Sequence, residues 1–204
     1  MRTQLIFVMS VAVAIASAAG AQPSPAAGAA QRTAPAARGA VLPGHELLSL
    51  DQAKARYRGR LSSVVLNFLS VMDRVVNKDK QPAITAADWA PLGAMIDREK
   101  FHRVGNFGVK NDWPGYADLL TMWANSSWWK GYIWRMREVP GGRGEPGLVY
   151  LESQERSSQQ HPVKDDGDYS TLASIAVYEI DAHDKIVGLH VYDQRPLDRP
   201  QARP

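Results

Sequence analysis

The stretch from Ser170 to Arg195 (STLASIAVYEIDAHDKIVGLHVYDQR) constrains the fold of this 204-residue chain more than any other. Two runs rich in β-branched and aromatic residues flank a polar break at Asp181–Lys185, which predicts two strands joined by a short turn. The second strand carries His190, Tyr192 and Asp193. His190 and Tyr192 share one face and Asp193 takes the other, because side chains alternate along a strand.

The half of the chain before the strands is helical in pattern. Leu61, Val64, Val65, Phe68, Leu69, Met72, Val75 and Val76 recur at three- and four-residue spacing and predict a helix over Leu61–Val76 with one broad apolar face. Asn77 to Pro82 stops it. A second helix is predicted over Thr85–Ile96, with Thr85 and Asp88 in capping-box positions and a break at Pro91. Lys100–Phe107 alternates and is expected as a short strand. Trp113-Pro114 opens a third helix, with Pro in the first turn. Two longer strands follow, Lys130–Val139 and Leu148–Ser157, and then a polar loop over Ser158–Tyr169. Helices first and antiparallel strands later indicate an α+β domain with the helices on one sheet face.

The ends of the chain lie outside this domain. Arg2, an apolar run from Leu5 to Ala19 and the small-x-small site Ala19-Gly20-Ala21 read as a secretory signal peptide over residues 1–21, so export to the periplasm or medium is expected. The run is short for a bilayer span, so no membrane anchor is expected after cleavage. Residues 22–44 form an Ala/Pro/Gly linker, and 197–204 a Pro- and Arg-containing tail. The domain between, 45–196, is long enough to bury a core without staples, and the chain has no cysteine. The net charge of +3 is mild, and the group Lys54, Arg56, Arg58 and Arg60 reads as a solvated helix start rather than a nucleic-acid surface.

The order of elements resembles the nuclear transport factor 2-like superfamily, in its SnoaL-like and ketosteroid isomerase-like branches, over nearly all of 55–196. The resemblance is carried by Ser70–Asp79 (SVMDRVVNKD), by Phe101–Gly105 (FHRVG) and by Asp184–Asp193 (DKIVGLHVYD). It implies a cone-shaped, curved mixed β-sheet wrapped around three N-terminal helices with a central pocket, and a homodimer through the outer sheet face. It also implies cofactor-free acid–base chemistry in an apolar pocket. Fold alone does not fix function, since such folds host several chemistries and plain binding proteins.

Asp73 matches the helical aspartate that acts as base or base-orienter in similar lyases. Beside an apolar stripe its charged form would be destabilised, which raises its pKa; the alternative is a solvent-facing partner of Arg74 or Lys78. His102 is the candidate proton carrier and partner for Asp73, against a half-exposed strand histidine. Where lyases that pair aspartate with histidine often carry that histidine, this chain has Trp128 and Trp129. His190 is a second acid–base candidate and Tyr192 a hydroxyl donor to a developing oxyanion, provided their strand face turns inward; otherwise they lie on the dimer or solvent side. Tyr132, Trp134, Tyr150, Glu152 and Tyr178 are expected on inward strand faces, and Trp113 and Trp123 among the indoles of the core and pocket wall. Arg135 and Arg137 are expected to pair with Glu155 outside. Glu152 and Glu179 are carboxylates in apolar strands, each a buried base or half of a cross-strand salt bridge.

No phosphate loop, nucleophile elbow or metal-spaced set stands in the linear sequence, so neither cofactor nor metal is expected. Asp165-Asp166-Gly167-Asp168 is similar to a calcium-loop fragment without the ligands that should follow. The sequence therefore points to an exported, cofactor-independent lyase or isomerase for a hydrophobic, aromatic small molecule, with lignin-derived aromatics as one candidate class. A periplasmic binding or accessory protein using the same cavity without turnover is the alternative. Two titratable groups converging inside the pocket distinguish the first from the second.

Overall fold

A computed structural model describes residues 46–105, 109–159, 163 and 170–196, with the backbone alone at 170, 171 and 193–196. The expected signal peptide, most of the linker, the Asp165–Asp168 segment and the tail from 197 lie outside the described residues, as do His45 and His161. No described helix is long and apolar enough to cross a membrane.

The described residues open with a short strand β1 (Leu48–Ser49) and helix α1 (Leu50–Arg56), which the apolar periodicity does not announce. The signal was a capping box: Ser49 Oγ accepts from Gln52 N (3.3 Å) while Ser49 N donates to Gln52 Oε1 (2.8 Å). Helix α2 (Arg60–Val76) follows and buries Leu61, Val65, Phe68, Leu69, Met72 and Val76, as its spacing predicts. Its N-cap is Gly59, which has no side chain to close the turn. Glu138, from a distant strand, does so instead by accepting from Ser62 N (2.6 Å), a carboxylate at the positive end of a helix.

The predicted second helix is two pieces. A 3-10 turn (Ala86–Trp89) runs into a one-turn helix α3 (Ala90–Gly93), and Pro91 stands in the first turn of α3, where its missing N–H costs nothing. The Thr85–Asp88 capping box is present, with Thr85 N donating to Asp88 Oδ2 (2.8 Å). Lys78 beside Asp88 holds that carboxyl down at about 2. Strands β2 (His102–Val104) and β3 (Lys110–Asn111) precede helix α4 (Trp113–Ser126), whose N-cap Asp112 accepts from Gly115 N (3.0 Å).

Four long strands complete the domain: β4 (Trp128–Val139), β5 (Gly147–Ser158), β6 (Ser170–Ile180) and β7 (Ile186–Pro196). The hairpin expected from Ser170–Arg195 is β6–β7, turning at Asp181–Lys185, where Asp181 Oδ1 accepts from His183 N (2.8 Å) and Lys185 N (2.9 Å). The seven strands among the described residues form one open curved sheet in the order β1-β4-β5-β6-β7-β2-β3, mixed because β2 runs parallel to β7. The α+β class with helices on one sheet face is thus observed.

The core lies between that face and the helices. Trp129, Ile133, Met136, Val149, Leu151, Ala176, Tyr178, Ile180, Ile186 and Leu189 meet α2 and α4 side chains there. Phe68 packs edge-on against Tyr178, with ring centroids 5.9 Å apart. In β4 the pairing to β5 shifts between Ile133 and Arg135, so Trp134 is an extra residue in a bulge. Before it odd-numbered residues face the helices (Trp129, Ile133); beyond it the even-numbered ones do (Met136, Glu138).

Candidate functional site

Registers and packing settle which side chains face the helices. Phe101, just before β2, and Arg103 on it point inward: Phe101 stacks on Tyr116 (5.8 Å) and the Arg103 guanidinium lies over the same ring, 5.4 Å from its centroid. His102 between them points the opposite way. On β5, Val149, Leu151, Ser153 and Glu155 are inward, while Tyr150, Glu152, Gln154 and Arg156 take the outer face. On β6, Ser174, Ala176, Tyr178 and Ile180 are inward and Ile175, Val177 and Glu179 outward.

This alternation, with Tyr116 from α4, brings four titratable groups together on a largely apolar inner face: Arg103, Tyr116, Glu155 and Tyr178. Burial pushes the Glu155 carboxyl above its ordinary value, partly opposed by the Trp129 indole and the Arg103 charge. Burial likewise pushes the Tyr116 phenol up to about 12 and the Tyr178 phenol well above its usual value. Arg103 opposes both rises and the Glu155 charge adds to both, so the four groups act on one another electrostatically. Two phenols that keep their protons at any physiological pH therefore stand with a carboxyl whose proton is held more tightly than in water.

Trp129 shapes the space beside Glu155. Glu155 pairs across the ladder with Gly131, and the Trp129 ring folds over that glycine. Its indole N–H is buried and directed at Glu155 without closing a hydrogen bond of ordinary geometry. Trp123 closes the other side, edge-on to Trp129 at 6.1 Å. A Cβ at position 131 would stand 2.5 Å from Trp129 Cη2. Gly131→Ala is therefore expected to displace the indole, lower stability by about 1–3 kcal/mol and change the near-ultraviolet circular dichroism. An unchanged urea midpoint would show that Trp129 is not held as described.

Asp73 is half-buried on α2. Burial raises its pKa, Asn77 lowers it, and the charge of Asp51 on α1 raises it further. Asn77 Nδ2 donates to Asp73 Oδ1 (2.9 Å) and to the Trp129 carbonyl (2.7 Å), and Asn77 Oδ1 accepts from Trp129 N (2.9 Å). Asp73 is thereby linked to the start of β4 and to the placement of Trp129. The expected contact between Asp73 and His102 does not form.

His102 instead meets His190 and Glu179 on the outer sheet face. His190 Nε2 lies 2.9 Å from Glu179 Oε1, and His102 Nε2 lies 3.3 Å from His190 Nε2. Tyr192 is largely exposed and stacks on the His190 ring, 6.0 Å between centroids. Of the two registers left open for His190 and Tyr192, the strand takes the outward one, because Leu189 and Val191 take the core side.

Of the pocket-wall residues expected on inward strand faces, Tyr178 alone packs into the core; Trp113 joins it from α4 and Trp123 packs partly buried against it. Tyr132 is buried outside that core, between the Lys130 ammonium (5.2 Å) and the Arg156 guanidinium (4.7 Å). Trp134 occupies the bulge, also outside the core cluster. Tyr150 is exposed, and Glu152 binds Arg135 through Arg135 Nε (3.0 Å). The pairing of Arg135 with Glu155 fails for one reason: the bulge turns Arg135 to the face of Glu152, while Glu155 stays inside. Arg135, Arg137, Tyr150 and Glu152 line an open depression of about 510 Å³.

Sequence reasoning gave Arg103 and Tyr116 no functional role and placed Glu155 on the outer face. The signal for each was an apolar neighbour two to four residues away on the same face: Phe101 for Arg103, Leu151 for Glu155, and Leu120 for Tyr116.

No family model and no curated protein matches the chain. Among solved structures it is similar to a nuclear transport factor 2-like protein of unknown function from Exiguobacterium sp. 255-15, at 16% identity and a TM-score of 0.43, over 67% of this chain and 99% of that one. It is similar also to such a protein of unknown function from Pseudomonas aeruginosa, at 15% identity and a TM-score of 0.44, over 63% and 94%. An LEH-like epoxide hydrolase from M. tuberculosis shows 13% identity and a TM-score of 0.42, over 64% and 83%. The residues described above carry the functional reading by themselves.

Proposed function

We propose that this chain is an exported, cofactor-independent lyase or isomerase that works by acid–base chemistry on a small hydrophobic, aromatic molecule held between the sheet and the helices. The placement of Glu155 carries the reading. It is a carboxyl raised by burial on an inner face that also holds two protonated phenols and a guanidinium. A base whose pKa moves from the carboxylate range toward the working pH is a better proton acceptor.

In this reading Glu155 removes a proton from the substrate, and the electron pair left behind is delocalised onto a substrate oxygen. Tyr116 or Tyr178 donates a hydrogen bond to that oxygen, and Arg103 supplies positive charge; both strengthen as the oxyanion develops. The proton returns to a different carbon in an isomerisation, or to a leaving hydroxyl that departs as water in a dehydration. The indoles of Trp113, Trp123 and Trp129 on the same face suit a flat aromatic substrate. Asp73 serves as a positioning residue through Asn77 and Trp129.

The test is to incubate the purified protein with aromatic diols and related hydrophobic alcohols and to follow products by mass. An isomer, or loss of water or formaldehyde, is expected only in the presence of protein. Saturable binding of these compounds with no product would replace the enzyme reading by that of a binding protein.

A further inference from the structure

The outer face of the sheet carries a second arrangement that the inner site does not use. His102 comes from β2, Glu179 from β6 and His190 from β7, and each offers a ligand atom within 4.8 Å of the others. We propose that His102, Glu179 and His190 bind one divalent transition-metal ion of the Zn²⁺ class, with a coordination position left open to solvent.

Strand register makes the set. Gly188 on β7 lies between His102 on one neighbouring strand and Glu179 on the other, and His190 is the next residue on that face of β7. Gly188 is what lets the three converge. A Cβ there would stand 2.6 Å from Glu179 Oε2, in the space that the carboxylate fills. Any other residue at 188 would push Glu179 off the two imidazoles.

The spacing suits an ion. Ligands ~2.0–2.1 Å from a tetrahedral centre stand ~3.3 Å from one another. The two imidazole Nε2 atoms are 3.3 Å apart, and Glu179 lies 2.9 Å from His190 through Oε1 and 3.9 Å from His102 through Oε2. His102 Nδ1 is 3.3 Å from the Lys100 carbonyl oxygen, so Nδ1 carries the proton and donates it there. That tautomer turns the Nε2 lone pair toward His190 and Glu179, as outer partners do for histidines that ligate metals. Two imidazoles and a carboxylate form a donor set of borderline softness, matched to Zn²⁺ or Co²⁺ rather than to Mg²⁺ or Ca²⁺. The His102 side chain is 46% exposed, leaving room for water or an external ligand at the remaining position. Three protein ligands and one open position distinguish a reactive or ligand-accepting site from a closed structural one.

The metals themselves are the probes. After treatment with chelator, the protein is titrated with Co²⁺ by visible absorption and with Zn²⁺ by calorimetry. One equivalent per chain is expected to bind, with a dissociation constant of about 1 μM or below and with visible bands of low-symmetry Co²⁺ that Zn²⁺ displaces. His102→Ala, His190→Ala and Glu179→Gln are each expected to weaken binding at least ~10–100-fold, the loss that even an outer partner causes. Gly188→Ala should weaken it as well, while His183→Ala, in the exposed turn, should not. Far-ultraviolet circular dichroism establishes that the variants are folded, and Glu179→Gln, which keeps the side-chain shape, carries the test if a histidine variant is not. Absence of stoichiometric binding at ~100 μM metal (a free energy of only about −5.5 kcal/mol), or binding undiminished in the ligand variants, overturns the site. Since these residues face away from Glu155, either result leaves the inner site where it stands.

Discussion

Glu155→Gln is expected to reduce turnover by about 10²–10⁴-fold and to make the protein more stable at neutral pH. The two effects have one origin. Burial raises the Glu155 carboxyl above its ordinary value, so the folded chain binds that proton more tightly than the unfolded chain does. The stabilisation from this proton is complete below the unfolded carboxylate value and is lost as pH rises through the folded one. Glutamine keeps the shape and never ionises, so the loss disappears. Wild type and variant should therefore have similar melting temperatures at low pH and separate as pH climbs through the raised value, with the variant above. Tyr116→Phe, which removes a phenol and leaves the carboxyl, should lower turnover by about 10²-fold without that separation. Melting curves for wild type and Glu155→Gln that run parallel across the acid range would show that the carboxyl is not raised. Full activity in the variant would remove Glu155 from the mechanism whatever its pKa.

The inner site was written in the sequence in a form that period-two patterning only half reveals. Alternation separates Tyr150, Glu152, Gln154 and Arg156 from Val149, Leu151, Ser153 and Glu155, and the structure keeps that division. It does not say which set is inside; the aliphatic pair Val149 and Leu151 does, and it takes Glu155 with it. On β4 no such reading was open. The extra residue at Trp134 exchanges the faces midway, so that Ile133 and Met136 both enter the core although three positions separate them. The α2 stripe was legible because nothing interrupts its period, and the β6–β7 hairpin because a local polar turn marks it, although its pairing shifts between Ile175 and Ala176 and between Glu179 and Ile180. The His102–Glu179–His190 set was illegible for the opposite reason: its members are 77 and 11 residues apart and meet only through the sheet order β6-β7-β2.

Indoles present the same division between what composition states and what packing decides. Six tryptophans could line a pocket or fill a core, and Trp89 is the clearest case of the second. It is the largest fully buried side chain among the described residues, at 0% exposure. Its Nε1 donates to Thr121 Oγ1 (2.9 Å), whose hydroxyl donates in turn to the Ala117 carbonyl (2.7 Å), so the 3-10 turn is fastened to α4. Trp89→Ala leaves a void that a 3-10 turn fixed by the Thr85–Asp88 cap and by Pro91 has little freedom to fill. The expected cost is about 3–5 kcal/mol, a fall in melting temperature of about 6–20 °C for a domain of this size. Thr121→Val tests the hydrogen bond alone: the buried N–H loses its acceptor while the indole stays, for about 1–3 kcal/mol. A Trp89→Ala midpoint within a degree or two of wild type would mean that the turn collapses onto α4 without loss. In that case Trp89 would contribute packing volume but would not hold α4, the helix that carries Tyr116, in place.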